Sequence, residues 1–553
     1  MAGMMNRDPS PAGENKRQGG RCALFLVTEL ERPVGGLYRF ATELLLSWRA
    51  AFHEVRTEYE PLVLSLHDPA YPLNDLQPSS QFADLTAQYP EIKVYEAIRG
   101  GEKCFFIEGT MSPEAGNDFL GELYNKFRIR SETASQDHFY RMLNCFWKYA
   151  PIVAEYMHNK LGYKIDVIDA QDWLAFPAGF LCRERLSKPL LCRFHSGETG
   201  RAMGNPNPDF PPLMIEAAAL AFADYVQGVS VSEMKFEILN LLERKREMCA
   251  ELTASLPKNW DSYQAWKDNK YEEFLLLESD SLELVGDVAA GIPNGIVLEP
   301  WKNVHIADIY KGREMLRNIF PKKHYALFIG RAERRKGIYE LFDAFTLLKG
   351  QDIGLVVASS LSQGEYDELH ARVSQLGLGS DIVLYNGWLS DNAKRSLMCA
   401  ADVIALPSLY EPFGLVTLEG LAADMACEIN GIRGPVVIVG ANGGMNEVIR
   451  NGINGFKAPM KSQYELRTDH LAKIISMSIN DEHLRARISK GAAERVQSPY
   501  FDWRFATLRI HECYRRASRN YHAWSSGKAA AGSYDKSGNE WQKSKSILEQ
   551  KQA

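Results

Sequence analysis

Short apolar runs that close on a glycine turn recur along this chain, and they restrict its fold more than any other feature. Tyr325-Ala326-Leu327-Phe328-Ile329 leads into Gly330-Arg331, and Val437-Ile438-Val439 leads into Gly440 with Gly443-Gly444 beyond. Between them, 402–407 reads as a buried strand, followed by the loop Glu411-Pro412-Phe413-Gly414 and by Leu415, Leu418, Leu421 and Ala422 at helical spacing. Strands of this kind alternating with helices make an α/β fold with a parallel sheet, whose carboxyl edge gathers the turns into one site.

The first half repeats the pattern. A strand at 22–28 meets the turn Gly35-Gly36-Leu37, which opens a helix at 38–48. Further strands are expected at 61–66, 167–170, 190–194 and 225–231, with helices around 136–161 and 212–223. A second run of strands is expected at 325–329, 354–358, 382–385, 403–406 and 436–440. The segments 291–295 and 299–301 look like the connection, so one domain is expected over 21–300 and a second over 301–500. The stretches at about 95–135 and 241–284 read as insertions, the latter helical, charged and solvated. A terminal helix is expected over 501–522, with polar, disordered segments at 1–20 and 523–553.

Composition agrees with two α/β domains. A chain of 553 residues, 45% of them apolar, can build two sizeable cores. A net charge of −6 argues against a dedicated nucleic-acid binder. The nine cysteines include no Cys-x-x-Cys pair, which points to a reducing compartment, without a disulfide framework or zinc site. No segment approaches the roughly 18 consecutive apolar residues of a membrane span, and the first twenty lack the apolar core of a signal peptide. A cytoplasmic location is expected.

Residue types indicate the chemistry. Glu411 on the loop and Glu419 on the following helix place two carboxylates at a strand-to-helix turn. Arg331 and Lys336, separated by Arg334 and Arg335, can clamp a diphosphate with charge-assisted hydrogen bonds; the alternative is a surface basic cluster. No acidic cluster with metal-ligand spacing accompanies them, so cations rather than a metal ion are expected to balance phosphate charge. Gly35 and Gly36 would let a backbone amide approach the same phosphates at a helix N-terminus. His195 ends the strand at 190–194, and Asp172 lies in Asp169-Ala170-Gln171-Asp172-Trp173, where it could instead cap a helix.

In order, Gly35-Gly36-Leu37, Asp172-Trp173, His195-Ser196, Val231-Ser232-Glu233, Pro293-Asn294-Gly295, Gly330-Arg331 with Lys336-Gly337, Glu411 to Glu419, and Gly443-Gly444 with Glu447 resemble the retaining glycosyltransferases of the GT-B fold. The likeness is to glycogen and starch synthases and their sucrose-synthase-like relatives, and it covers roughly 22–520. It implies two Rossmann-like doubly wound domains facing a cleft. It also implies a hexosyltransferase that moves glucose from ADP-glucose or UDP-glucose to an α-1,4-glucan, without a metal or other cofactor.

On that resemblance Arg331 and Lys336 hold the diphosphate. Glu411 lies beneath the donor sugar with the amides of Phe413, Gly414 and Leu415, and Glu419 accepts from the ribose. Trp388 falls where an aromatic stacks on the base, although it could equally be a core residue. His195 and Asp172 serve the sugar and acceptor side. Where glycogen synthases usually carry a lysine two residues before the glycine pair, this chain has Pro33. A small sugar or sugar phosphate as acceptor is the alternative, and a noncatalytic glucan-binding regulatory subunit a more remote one. Starch-type phosphorylases need a pyridoxal lysine motif that the chain lacks.

Overall fold

The structure, a computed structural model, describes residues 20–31, 35–55, 57–71, 74–129, 137–203, 205, 210–252, 259–278 and 282–526. The segments 1–19 and 527–553, expected to be disordered, and Pro33 lie outside the described residues.

Two sheets organise the chain. The first contains β1 (Arg21–Val27), β2 (Tyr59–His67), β3 (Gln77–Pro78), β4 (Ile92–Arg99), β5 (Glu102–Gly109), β6 (Lys164–Gln171), β7 (Leu190–Phe194), β8 (Tyr225–Gly228), β9 (Leu284–Val285) and β10 (Ala289–Gly291). Their order is β3-β4-β5-β2-β1-β6-β7-β8-β10-β9. The second contains β11 (His324–Ile329), β12 (Ile353–Ser359), β13 (Ile382–Asn386), β14 (Val403–Leu406), β15 (Val436–Gly440) and β16 (Phe456–Ala458). It is wholly parallel, in the order β13-β12-β11-β14-β15-β16. Each sheet reverses its winding once, between β1 and β6 and between β11 and β14, so each is doubly wound with one topological switch point.

Period-two burial explains the layering. Leu24 and Leu26 of β1 enter the core on one face of the first sheet, whereas Ala23, Phe25 and Val27 enter the core on the other. In β11, Tyr325, Leu327 and Ile329 face one side and Ala326 and Phe328 the opposite side. Both sheets are therefore covered on both faces, which is why their strands read as continuous apolar runs rather than as alternating patterns.

Two expectations about the insertions need correction. The stretch at 95–135 is not simply an insertion. β4 and β5 form an antiparallel hairpin across Gly100-Gly101, β5 pairs parallel with β2, and the helix Pro113–Phe127 sends Phe119, Leu123 and Phe127 into the core. Residues 130–136 lie outside the described residues. The stretch at 241–284 is helical where described, over Val231–Leu252 and Trp260–Leu276, but one face of each helix is buried rather than solvated. Lys245 and Lys267 are fully buried. Lys267 Nζ donates to the carbonyls of Ala221 and Ala223 at 3.1 and 2.7 Å, while Lys245 Nζ meets Asp268. Their methylene stems fill the core and their ammonium groups find acceptors at its edge.

The terminal helix, expected over 501–522, spans Trp503–Ser525. It returns to the first domain, where Trp503, Ile510, Cys513, Tyr514 and Ala517 share a core with Phe25, Val27 and Trp48. Its last turn brings Trp524 against Trp260, with ring centroids 6.4 Å apart. All nine cysteines are unbridged. Among the described residues, no helix is long and apolar enough to cross a membrane.

Candidate active site in the cleft

At the switch point of the second sheet, Gly330-Arg331 follows β11 and the loop containing Glu411 follows β14. A one-turn helix, Arg334–Lys336, ends on Gly337 at φ +71°, where any Cβ would run into the Pro407 carbonyl. That close approach presses the basic turn onto the acidic loop, and Lys336 Nζ meets Glu411 Oε2. Gly443, at φ +54°, lies against the Glu411 carbonyl from the other side and supports the loop.

Burial tends to raise the Glu411 carboxyl, but Lys336, Arg335 and Arg331 outweigh it and hold it below its ordinary range. Lys336 is lowered by its own burial, against the opposing pull of Glu411. Arg331 is not brought to the same point. Its guanidinium is largely exposed and pairs with Glu333 at 2.8 Å, so the two expected clamp cations are held by different carboxylates.

Gly414, at φ +86°, turns the loop into the helix Leu415–Ile429. The Phe413 side chain is buried in the core, which leaves its backbone as the part able to serve a ligand. Glu419 is also buried, and Lys394 Nζ donates to its Oε1 at 2.6 Å. Arg39, from the helix Gly36–Val55 of the first domain, pairs with the same oxygen. Trp388, 67% exposed on the loop after β13, is not a core residue.

From the first domain, Gly35 (φ +103°) precedes the helix Gly36–Val55, and a Cβ on Gly36 would meet nothing within 4 Å. His195 and Asp172 lie side by side at the carboxyl ends of β7 and β6. Asp172 occupies the left-handed region at φ +60°. Burial pushes its carboxyl up to about 7, opposed by Arg201 and by the backbone amides of Trp173 and His195. It does not cap a helix with its side chain: the next helix, Phe176–Leu186, has Ala175 at its N-cap and no side-chain cap.

His195 Nε2 lies 3.0 Å from Gln171 Oε1. The Gln171 amide is oriented by its Nε2, which donates to Asp169 Oδ1 at 2.5 Å. Nε2 of His195 therefore carries the proton and Nδ1 is the acceptor. Burial, reinforced by Arg193, drives this imidazole well below its usual pKa, so it is neutral.

The two domains meet through specific contacts. Ser230 Oγ donates to the Pro412 carbonyl at 2.6 Å. The amides of Ser232 and Val231, opening the helix Val231–Leu252, donate to Glu447 at 2.6 and 3.3 Å, a favourable place for a carboxylate. Tyr410 Oη donates to Glu233 Oε1 at 2.7 Å.

Behind Tyr410 lies a group of carboxyls that sequence reasoning did not assemble. Glu216 and Glu237 are fully buried and Glu233 nearly so. Both Glu237 oxygens lack a hydrogen-bond partner. Burial, compounded by Glu233, Glu216 and Asp172 and only partly relieved by Arg201, pushes Glu237 well above its usual range. Burial likewise pushes Glu233 up to about 8.

Because these carboxyls ionise more readily in the unfolded chain, their contribution to stability is complete below the ordinary carboxyl range. It is lost as pH rises through the raised folded values. Glu237→Gln is expected to stabilise the protein by about 1 kcal/mol or more, with a larger gain in thermal midpoint at pH 8.5 than at pH 6. Equal gains at both pH values would show that the folded Glu237 carboxyl is already ionised at pH 6 and is not raised.

Among the described residues, no group of three or more His, Cys, Asp or Glu side chains is arranged to hold a metal ion.

Comparison with known proteins agrees with this architecture. Residues 316–495 match the family described as Glycosyl transferases group 1. An uncharacterized glycosyltransferase of Methanocaldococcus jannaschii is 26% identical over 363 residues, covering 64% of this chain and 77% of that protein. Glycogen synthase of Mycobacterium tuberculosis is 28% identical over 372 residues, covering 65% and 72% respectively. The catalytic domain of starch synthase IV from Arabidopsis thaliana, in a structure bound to ADP and acarbose, superposes with a TM-score of 0.58 at 15% identity, over 90% of this chain and 100% of that one. The fold is GT-B. The match to group 1 glycosyltransferases covers 316–495, the part of the chain that holds the second sheet together with Lys336 and Glu411.

Proposed function

We propose that this protein transfers glucose from ADP-glucose or UDP-glucose to the non-reducing end of an α-1,4-glucan, with retention at the anomeric carbon. The Lys336–Glu411 pair at the switch point, facing the first domain, carries this reading. The similarity to a glycogen synthase and the starch synthase fold bound to ADP and acarbose support the substrate class.

In this scheme the anomeric carbon's bond to the diphosphate breaks and negative charge collects on the leaving oxygen. Lys336 neutralises that charge in a half-buried setting, where it acts more strongly than in water. Arg331 swings from Glu333 to the outer phosphate, and the amides after Gly35 approach from the first domain. Glu411, kept ionised, orients sugar hydroxyls and favours positive charge developing at the anomeric carbon. The acceptor hydroxyl attacks from the face the diphosphate leaves, and its proton passes to the departing phosphate oxygen. Neutral His195 holds a sugar hydroxyl through Nδ1. No metal ion is required. Cleft closure excludes water, which would otherwise compete as acceptor.

The test is incubation of the purified protein with labelled nucleotide sugars, offered with glycogen and separately with glucose 6-phosphate or fructose 6-phosphate. Label entering the polymer at its chain ends supports the proposal. Label entering only the small sugars establishes the alternative acceptor class. Trp388→Ala is expected to raise the donor KM about tenfold, through loss of base stacking, and steady-state kinetics with the preferred donor would check this.

A further inference from the structure

Beside the expected ribose position, Glu419 is 2% exposed yet only half satisfied. Oε1 takes both Lys394 and Arg39, whereas Oε2 is buried with no hydrogen-bond partner. An unpartnered buried carboxylate oxygen is costly, and beside a binding site a donor brought by the ligand can satisfy it. The two cations on Oε1 are not equivalent. Arg39 belongs to the first domain and has a second carboxylate within its own helix, Glu43, at 2.8 Å. Glu43 in turn accepts from the Trp503 indole at 2.7 Å. Arg39 therefore reaches Glu419 only across the cleft. Lys394 lies on the helix Asp391–Ala400 of the same domain as Glu419 and stays beside it whatever the cleft does.

We infer that Lys394 is a specificity-determining residue for the donor nucleoside, reading the ribose diol together with Glu419. One ribose hydroxyl donates to the free Oε2. The neighbouring hydroxyl accepts from Lys394 Nζ, which already lies 2.6 Å from the carboxylate it steadies. A carboxylate alone can only accept, so it can hold two hydroxyls only by accepting a hydrogen bond from each. The acid–base pair instead matches a diol in which one hydroxyl gives and the other receives, and this fixes the ribose face. Burial, with Arg39 adding to it, brings the Lys394 ammonium down to about 7. A hydroxyl brought against it adds an acceptor. This inference rests on the sugar-nucleotide reading given above.

The test is a cycle between the side chain and the hydroxyl. Calorimetry measures binding of ADP and UDP, and of their 2′-deoxy and 3′-deoxy forms, to the wild type and to Lys394→Met and Lys394→Gln. In the wild type, removing the hydroxyl that faces Lys394 should weaken binding about tenfold or more, as expected for a hydrogen bond to a charged group. In Lys394→Met that ratio should fall to about one to threefold, with Lys394→Gln in between, and the loss in turnover should appear in the donor KM rather than in kcat. A lysine with a purely structural role would weaken the ribose and deoxy forms equally. An unchanged ratio in both folded variants overturns the inference. Failure of the wild type to bind any nucleoside diphosphate overturns it together with the donor-site reading, which distinguishes the two failures.

Discussion

Lys336→Met is expected to lower kcat/KM by about a hundredfold to a thousandfold, the cost of removing one preorganised donor at a site of developing negative charge. The basis is geometric. Gly337 forces the basic turn onto the Pro407 carbonyl, which places Lys336 Nζ at Glu411 and leaves it little freedom to be elsewhere. Loss of the lysine also removes the largest charge that offsets burial of Glu411. That carboxyl then moves upward, and the activity of the variant should fall off toward acid at a higher pH than that of the wild type. Pre-steady-state measurement of donor cleavage would locate the loss in the chemical step. Because Lys336 and Glu411 act on one another, the double variant Lys336→Met, Glu411→Gln should lose much less than the sum of the two single losses. Full activity in Lys336→Met would remove this turn from the catalytic apparatus.

The largest expected effect on stability lies elsewhere. Arg193 and Asp169 form a wholly buried ion pair at 2.7 Å. The same Asp169 oxygen accepts from Tyr514 Oη at 2.6 Å, and the other oxygen orients Gln171. Arg193 makes this pair through Nη2, and its Nε and Nη1 have no hydrogen-bond partner. Asp169→Ala therefore strands a guanidinium, a phenol and an amide together in an apolar core, and is expected to destabilise the first domain by about 3 to 5 kcal/mol. Urea melts followed by tryptophan fluorescence would report this through Trp48 and Trp503, which sit in the same core. A change below about 1 kcal/mol would mean that water or a rearranged Arg193 replaces the lost carboxylate.

Much of this architecture is legible in the sequence. β7 and β14 occupy the spans expected of them, because parallel strands buried on both faces appear as uninterrupted apolar runs. That Lys336 and Glu411 share one sheet edge is also legible, from strand-then-turn placement, whereas their direct pairing is not. What escaped depended on long-range packing. The hairpin of β4 and β5 carries its own signal, two runs flanking Gly100-Gly101, but its place beside β2 is set by packing that no local pattern shows. Lys245 and Lys267 suggested a solvated helix because charge in a sequence does not show where a long side chain ends. Arg39, Lys394, Glu216 and Glu237 resemble ordinary helix-surface residues one at a time. Only the meeting of helices from distant parts of the chain makes them neighbours.

The return of Trp503–Ser525 to the first domain sets an order on biosynthesis. Phe25, Val27 and Trp48 share their core with side chains that leave the ribosome only after the entire second sheet has been made. The later half can complete its fold while the earlier half still waits with an apolar face uncovered. In a nascent polypeptide the half synthesised first is thus the last to be sealed, and for that interval it is the part that most needs chaperone protection.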